Sequence, residues 1–257
     1  MKNITQLGQH WLKDRAIISK IVDCADLTKQ DTVLEIGPGL GTMTSELLKR
    51  ANKVIAVEFD ENLANNLPAQ FPGKNLEIFN QDILNFNFSN LPKNYKVVAN
   101  IPYYITNKII NTLLNTDNKP SLIVLLVQKE VAERLASKPG KMSVLSISAQ
   151  VYADVKLGGV VPASMFTPPP KVDSQIVILK IKEDNFFEEV SQKDFFRIVK
   201  AGFSAKRKKL RSSLAGGLNL SKNEIETVLR SIDINPDRRA EDLSLEDWKN
   251  LTSILIK

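Results

Sequence analysis

Cysteine and histidine are almost absent from this 257-residue chain, which contains one of each. With only Cys24, the chain can form no internal disulfide and no cysteine-rich metal site, and the apolar residues around it favour a buried, unreactive thiol. With only His10, metal centres that need a pair of histidines are excluded, and little room is left for a catalytic triad. Secreted disulfide scaffolds and histidine-rich metalloenzymes are therefore not expected.

Long apolar runs and a strong charge of one sign are also missing. No run approaches the ~20 residues of a membrane span, and the N-terminal residues show no signal-peptide pattern. The net charge of +6, from 35 Lys and Arg against 29 Asp and Glu, is compatible with a polyanionic partner without requiring one. We expect a globular cytoplasmic protein. Because no dimerisation seam is visible, we expect it to be a monomer.

Apolar runs of strand length alternate with helical patterns through the first two thirds of the chain. Nearly continuous apolar strands separated by helices are typical of a parallel sheet covered on both faces. Right-handed crossovers place the carboxyl ends of its strands on one edge, where open α/β sheets bind their ligands. The predicted strands are 32–36, 54–57, 76–79, 96–99 and 121–127.

The pattern changes after residue 153. Segments 155–161 and 175–181 resemble two more strands. Their close spacing, without a full crossover helix, predicts an antiparallel addition to the sheet. From about Glu183 the pattern is helical throughout. We therefore predict two domains, an α/β domain over residues 1–182 and a small all-helical domain over residues 183–257.

A glycine-rich loop follows the first predicted strand. Gly37, Gly39 and Gly41 have the spacing G-x-G-x-G, which differs from both the dinucleotide-binding G-x-G-x-x-G and the Walker loop. Glycines at these positions allow the backbone to approach a small cofactor closely. The same loop also fits a tight strand-to-helix turn that binds no ligand.

Acidic residues follow the next two strands. Glu58 can accept hydrogen bonds from both ribose hydroxyls of a nucleoside, and Asp82 can accept one from the amine of an adenine. Each residue alone is also explained as a carboxylate at a helix N-terminus. Three such positions at three strand ends in register are harder to explain in that way. Together they predict a site for the nucleoside part of a cofactor.

The fourth strand runs into Asn100, Ile101, Pro102 and Tyr103, the most informative residues of the chain. Pro102 holds Ile101 extended, which presets the direction of the Ile101 carbonyl. That carbonyl and the Asn100 side-chain oxygen can accept hydrogen bonds from the exocyclic amine of a base, and Tyr103 can stack on the base. Positioning then suffices for the amine to attack an activated methyl group. The pattern predicts methyl transfer to a nucleic-acid base; a proline turn before a core tyrosine is the alternative.

Two further features are candidates for contact with a nucleic acid. Phe166, before a triple proline, could close the other face of a flipped base. A phenylalanine in such a loop more often packs in the core, so this assignment depends on the resemblance described below. The window 195–222 holds eight cations and no acids, which suits phosphate contacts, although most charge runs are solvated helix faces. The candidate RNA-binding cations are Lys206, Arg207, Lys208, Lys209 and Arg211.

Over nearly its whole length the chain resembles the ribosomal RNA adenine dimethyltransferases of the small-subunit, kasugamycin-sensitivity type. The set of matching motifs is highly specific. It consists of LGQHWLKD at 7–14, the glycine loop, Glu58, QD at 81–82, NIPY at 100–103, FTPPPKVDS at 166–174, FSAKRKKL at 203–210 and RAEDLS at 239–244.

The resemblance implies a Rossmann-like class I methyltransferase sheet and S-adenosylmethionine as methyl donor, with no metal. It also implies transfer of two methyl groups to each of two adjacent adenosines of small-subunit ribosomal RNA during ribosome biogenesis. His10 stands where the family most often has Asn, and Trp11 where it has Phe. The cofactor site implied by the resemblance consists of His10, Leu12, Gly37, Gly39, Glu58, Asp82 and Asn100.

Three alternatives remain open. A large-subunit enzyme of the macrolide-resistance type shares the core motifs, but segment 239–244 and the basic run favour the small-subunit type. A binding-only ribosome-assembly factor would not need the amine acceptors at 100–103. A nicotinamide-dependent dehydrogenase would need another glycine spacing and a proton donor.

Overall fold

The computed structural model describes residues 10–205 and 207–256. The chain divides into two compact units. The first comprises the chain up to Glu133 together with Ala153–Ile181, and the second comprises Arg134–Tyr152 together with the chain from Lys182 onward.

The first unit is built on a seven-stranded sheet in the order β4-β3-β2-β5-β6-β9-β7. The five strands from β4 to β6 are parallel, and β9 and β7 add to them antiparallel. This confirms the predicted α/β class with its antiparallel addition. The strands of this sheet are β2 (Thr32–Ile36), β3 (Lys53–Glu58), β4 (Leu76–Asn80), β5 (Lys96–Asn100), β6 (Leu122–Gln128), β7 (Ala153–Val161) and β9 (Ser174–Ile181).

The register of the parallel strands aligns their carboxyl ends. Ile36 of β2 lies between Val57 of β3 and Ala99 of β5, so the loop after β2 emerges between the ends of its two neighbours. The centres of β2, β3, β5 and β6 are buried on both faces, which is the reason that their sequences are nearly continuously apolar without alternation. The edge strand β4 is partly exposed along its length.

Helices cover the sheet, and α1 and α2 pack against each other. The Asp14 carboxylate caps α1 by accepting from the backbone N–H groups of Ala16 and Ile17. The helices of this unit are α1 (Arg15–Asp23), α2 (Thr42–Arg50), α3 (Glu61–Asn66) and α4 (Thr106–Asn115), and α5 (Lys129–Leu135) runs from this unit into the second.

A second, two-stranded sheet joins two distant parts of the first unit. β1 (Trp11–Leu12) pairs antiparallel with β8 (Phe166–Thr167), which places Leu12 opposite Phe166. Both side chains are at most 5 % exposed and belong to one apolar cluster with Ile18 of α1. The proline-rich loop is therefore tied to residues within the first motif of the chain, 7–14.

The second unit is helical and has its own core around Phe195 and Trp248, both fully buried. Serine capping boxes start α6, α9 and α10. Among the described residues, no helix combines the length and the apolar character that crossing a membrane requires. The helices are α6 (Val144–Gln150), α7 (Gln192–Gly202), α8 (Leu210–Leu218), α9 (Lys222–Ser231) and α10 (Leu245–Leu255).

The helical unit also contains residues 134–152, which the predicted boundary at residue 182 assigned to the α/β domain. Met142 and Ile147 pack in the same core as Trp248, and the backbone N–H groups of Gly140 and Met142 donate to the Glu241 carbonyl. Residues 134–152 therefore group with the C-terminal helices, although they precede two strands of the sheet in the sequence.

Candidate functional site

The site lies where β2, β3 and β5 end side by side. A cavity of about 100 Å³ opens at this edge. A neighbouring cavity of about 280 Å³ is lined by Gly37, Glu58, Phe59, Asp82 and Tyr104 among others. The structure thus brings nearly all the predicted cofactor and base-contacting residues to one edge of the sheet. The predicted residues that line the first cavity are His10, Leu12, Gly37, Gly39, Glu58, Asn100, Ile101, Pro102 and Tyr103.

Gly37 and Gly39 both have a left-handed backbone, which favours glycine, but the space beside them differs. Gly37 has a φ of +65°, and a Cβ there would meet no atom within 4 Å, so the space beside it is open. Gly39 has a φ of +56°, but a Cβ there would overlap the Trp11 ring. The close approach at Gly37 is therefore available to a ligand, whereas that at Gly39 is occupied by Trp11.

Glu58 ends β3 with a carboxylate that is already engaged by the backbone. Its Oε2 accepts from the Gly39 N–H at 3.0 Å and its Oε1 from the Asp60 N–H at 2.9 Å. Burial raises the pKa of Glu58, and these two hydrogen bonds oppose the rise. Because each carboxylate oxygen accepts more than one bond, Glu58 can hold the glycine loop and still accept from a diol.

Glu35, which the sequence analysis did not assign, is a further acidic group of the cavity wall. The residue is 2 % exposed, and its Oε2 has no hydrogen-bond partner among the described residues. Burial raises the pKa of Glu35 to about 8, and the nearby Glu58 carboxylate adds to the rise. The available signal was an acid within an otherwise apolar strand directly before the glycine loop.

Asp82 caps a helical turn and also lines a cavity, so the structure is compatible with both of the roles considered for it. Its Oδ1 caps a short 3₁₀ turn, Ile83–Asn85, by accepting from the Leu84 N–H at 2.9 Å. It also lines the larger cavity together with Glu58. A cap fixes the orientation of the carboxylate and leaves it acceptor capacity for a ligand.

Asn100 and Ile101 present two oxygens at the end of β5. The Asn100 Nδ2 donates to the His10 carbonyl at 3.5 Å, which orients the amide and leaves its oxygen to accept from another donor. The Ile101 side chain is 2 % exposed and anchors the turn in the core. Both residues line the smaller cavity, together with Pro102 and Tyr103.

Tyr103 is held from two directions. Its hydroxyl lies 2.7 Å from the Ser174 Oγ, and its ring stacks on the His10 ring, with 5.8 Å between centroids and 23° between planes. His10 is fixed in turn, since its Nδ1 lies 2.7 Å from the Pro168 carbonyl and, because a carbonyl only accepts, carries the proton. Burial raises the pKa of Tyr103, so the phenol is neutral at physiological pH.

Phe166 does not line the smaller cavity. Its ring is 3 % exposed, lies opposite Leu12 in the two-stranded sheet and packs in the apolar cluster of the first unit. This arrangement favours a packing role, and contact with a base would require the ring to leave the core.

Of the predicted RNA-binding cations that the structure describes, only some form ion pairs within the protein. Lys209 Nζ lies 2.7 Å from Asp237 Oδ2, and Arg211 pairs with Glu226 at 2.8 Å and Asp237 at 3.2 Å. Arg207 and Lys208 are exposed and pair with no acid in the described part of the chain. Lys206 lies outside the described residues.

Within residues 10–205 and 207–256, no group of three or more His, Cys, Asp and Glu side chains is arranged to hold a metal ion. The chemistry available at the sheet edge is therefore that of hydrogen-bond acceptors, two buried carboxyl groups and an aromatic stack. Such a site can bind a nucleoside and a cationic group and can position a neutral amine.

Comparison with known proteins identifies relatives over the whole chain. The family model "Ribosomal RNA adenine dimethylase" matches residues 1–257. A protein of Dehalococcoides mccartyi named "Ribosomal RNA small subunit methyltransferase A" is 45 % identical over 251 residues, covering 95 % of this chain and 86 % of its own. A protein of the same name from Clostridioides difficile is 40 % identical, with coverage of 97 % and 89 %.

Two solved structures share the fold. A dimethyladenosine transferase from Plasmodium falciparum superimposes with a TM-score of 0.82 at 30 % identity, covering 94 % of this chain and 96 % of its own. The 23S rRNA methyltransferase ErmE superimposes with a TM-score of 0.78 at 27 % identity, covering 96 % and 100 %. Both likenesses extend over nearly the full length of each chain.

Proposed function

The chain belongs to the ribosomal RNA adenine dimethylase family, and from that premise we propose that it methylates the small-subunit ribosomal RNA. It transfers methyl groups from S-adenosylmethionine to the N6 amines of two adjacent adenosines in the 3′-terminal hairpin, giving dimethyladenosines during subunit biogenesis in the cytoplasm. The observation that carries the proposal is the meeting of Gly37, Glu58 and Asn100 at one edge of the sheet.

The residues present fit S-adenosylmethionine. The open space beside Gly37 accepts a group that must approach the backbone closely. The Glu35 Oε2 in the cavity wall is unpartnered within the described residues and offers an acceptor to an ammonium group, whose positive charge would lower the raised pKa of Glu35. Glu58 and Asp82 line the larger cavity as acceptors for a ribose and an adenine. When bound, the cofactor supplies a methyl group activated by a sulfonium sulfur.

The protein's own part in the reaction is to hold the amine. The Asn100 side-chain oxygen and the Ile101 carbonyl accept from the two N–H bonds of the amine, which aims the nitrogen lone pair at the methyl group. The methylated nitrogen loses its proton to water, so the site needs no strong base. Tyr103 supports the face of the adenine, a contact worth roughly 1–3 kcal/mol per stacked base.

Relatives and basic residues favour the small subunit as substrate. The proteins at 40–45 % identity are small-subunit methyltransferases by name, whereas the large-subunit enzyme is 27 % identical. In the helical unit, Arg207 and Lys208 are exposed for phosphate contacts, and Lys206, Lys209 and Arg211 extend the run. Because Lys209 and Arg211 are engaged by acids, they reach phosphates only by exchanging those partners.

Incubation with labelled S-adenosylmethionine tests the proposal. Small subunits isolated from cells without these methyl groups should take up label, and large subunits should not. Label only in large-subunit RNA would assign the macrolide-resistance type instead. No label in either subunit would assign a binding-only assembly factor.

A further inference from the structure

Ser174 is a buried residue whose hydroxyl lies beside the site and has no part in the reaction proposed above. It begins β9, is fully buried, and its backbone pairs with Gln128 of β6 and Val161 of β7. Its Oγ lies 2.7 Å from the Tyr103 Oη. In the sheet order β6 separates β9 from β5, so this bond reaches across the end of β6 to the turn that carries the amine acceptors.

We propose that Ser174 is a positioning residue for methyl transfer, because its hydroxyl fixes the Tyr103 ring at the mouth of the cavity. The inference rests on the proposed function. Ser174 acts through Tyr103 and does not itself contact the base.

The Tyr103 ring needs such an anchor because little else fixes it. Tyr103 lies in a short 3₁₀ turn, Tyr103–Ile105, and is only partly buried. The His10 ring covers one face and thereby limits tilting, but the stack allows the ring to slide in its own plane. A hydrogen bond at the far end of the ring, to a serine held on both sides by strands, removes that freedom.

The anchor also leaves part of the ring uncovered. Tyr103 is only partly buried and lines the cavity, so its uncovered surface is where an adenine can stack. A platform fixed in this way holds the base near the two acceptors of Asn100 and Ile101, and small errors in such positioning lower the rate of transfer.

A purely structural role is the competing explanation, because a buried serine needs a hydrogen-bond partner wherever it lies. The two roles differ in what happens when Tyr103 has no hydroxyl. If Ser174 acts through the ring, its hydroxyl has no function in a Tyr103→Phe background. If it serves only the packing of β9, it matters equally in both backgrounds.

A double-mutant cycle separates the roles, with Ser174→Ala, Tyr103→Phe and the double variant. Single-turnover methyl transfer is measured at saturating small subunits, with binding of S-adenosylhomocysteine and the thermal midpoint alongside. Tyr95→Phe is the matched control, because it removes another tyrosine hydroxyl bond, 3.1 Å from Tyr95 to the Asn118 carbonyl, in the buried part of the same unit.

Each single variant should lose about 3- to 10-fold in the rate of transfer, the factor that one net hydrogen bond is worth. The double variant should lose no more than either single variant, and neither the KM for subunits nor cofactor binding should change by more than about twofold. Tyr95→Phe should lower the thermal midpoint and leave the rate unchanged.

Full additivity in the cycle, or wild-type rates in Ser174→Ala, would overturn the positioning role. If Ser174→Ala does not fold, Tyr103→Phe breaks the same bond from the other side, and wild-type rates there would overturn it as well. A wild-type chain that transfers no methyl group at all would instead refute the proposed function.

Discussion

The amide nitrogen of Gly39 donates a hydrogen bond of 3.0 Å to Oε2 of Glu58. This bond ties the loop after β2 to the end of β3, so the shape of the glycine loop and the orientation of the Glu58 carboxylate depend on each other. If Glu58 accepts from the ribose as proposed, it affects cofactor binding in two ways, by that contact and by holding the loop beside it.

Replacing Glu58 should weaken cofactor binding strongly. Hydrogen bonds to a charged group contribute about 1.5–3 kcal/mol each, so we expect Glu58→Ala to raise the Kd for S-adenosylhomocysteine by roughly 10- to 100-fold in calorimetry. The control is Glu77→Ala, which removes a partly exposed carboxylate from the adjacent strand. An unchanged Kd in Glu58→Ala would contradict ribose recognition.

Two glycines with the same backbone conformation provide a matched pair for the cavity. Gly37 and Gly73 have φ values of +65° and +70°, and in both a Cβ would meet no protein atom within 4 Å. Substitution by Ala should therefore destabilise the protein by a similar amount at either position, about 1–2 kcal/mol of backbone strain. Only Gly37 lines the cavities.

Gly37→Ala should consequently weaken S-adenosylhomocysteine binding by at least about tenfold, because the methyl group takes up space that the ligand needs. Gly73→Ala should bind it as the wild type does. Equal affinities for the two variants would show that the ligand does not lie against Gly37.

Much of the site could be predicted from the sequence because its residues follow strand ends. Apolar runs identify parallel strands, and parallel strands bring Gly37, Glu58, Asp82 and Asn100 to one edge without any knowledge of side-chain contacts. The burial of the carboxyl group of Glu35 was not predicted, although an acid inside a strand that is expected to be covered on both faces was the available signal.

Contacts between distant segments could not be predicted. The two-residue strands that pair Leu12 with Phe166 are too short to give a pattern, and their pairing is what buries the Phe166 ring. The local sequence pattern of segment 134–152 does not show to which of the two units it belongs. The ion pairs of Lys209 and Arg211 depend on Asp237, which only the fold brings to them.

The buried Glu35 should make stability depend on pH. In the unfolded chain this carboxyl group ionises near pH 4.5, but in the folded protein only near pH 8. Between these values unfolding releases a proton, so Glu35 lowers the free energy of unfolding as the pH rises from about 4.5 to about 8, and its effect is constant beyond that.

Glu35→Gln removes this dependence. Relative to the wild type, the variant should gain stability from pH 5 to pH 8, on the order of a few kcal/mol, as measured by urea unfolding. The cost of burying the amide is the same at both pH values and cancels in the comparison. Parallel pH profiles for the two proteins would show that Glu35 is ionised in the folded state.

The exposed cations of the helical unit should contribute to the salt dependence of RNA binding. Reversing Arg207 and Lys208 to Glu should remove the two proposed phosphate contacts, weaken binding to small subunits and reduce the log–log salt slope by about 1.4–1.8. Reversing Lys74 and Lys93, two exposed lysines of the sheet unit, changes the net charge equally. If both pairs have the same effect, binding senses only the overall charge.

Mass spectrometry of small-subunit ribosomal RNA from cells that lack this protein shows whether the chain dimethylates the two adenosines. Returning the wild-type chain should restore two methyl groups on each of two adjacent adenosines. Returning Asn100→Ala should leave both adenosines unmodified, although the purified variant still binds S-adenosylhomocysteine measurably. Full dimethylation by Asn100→Ala would show that the amide is not needed to hold the amine, and no methylation by the wild-type chain would refute the proposed function.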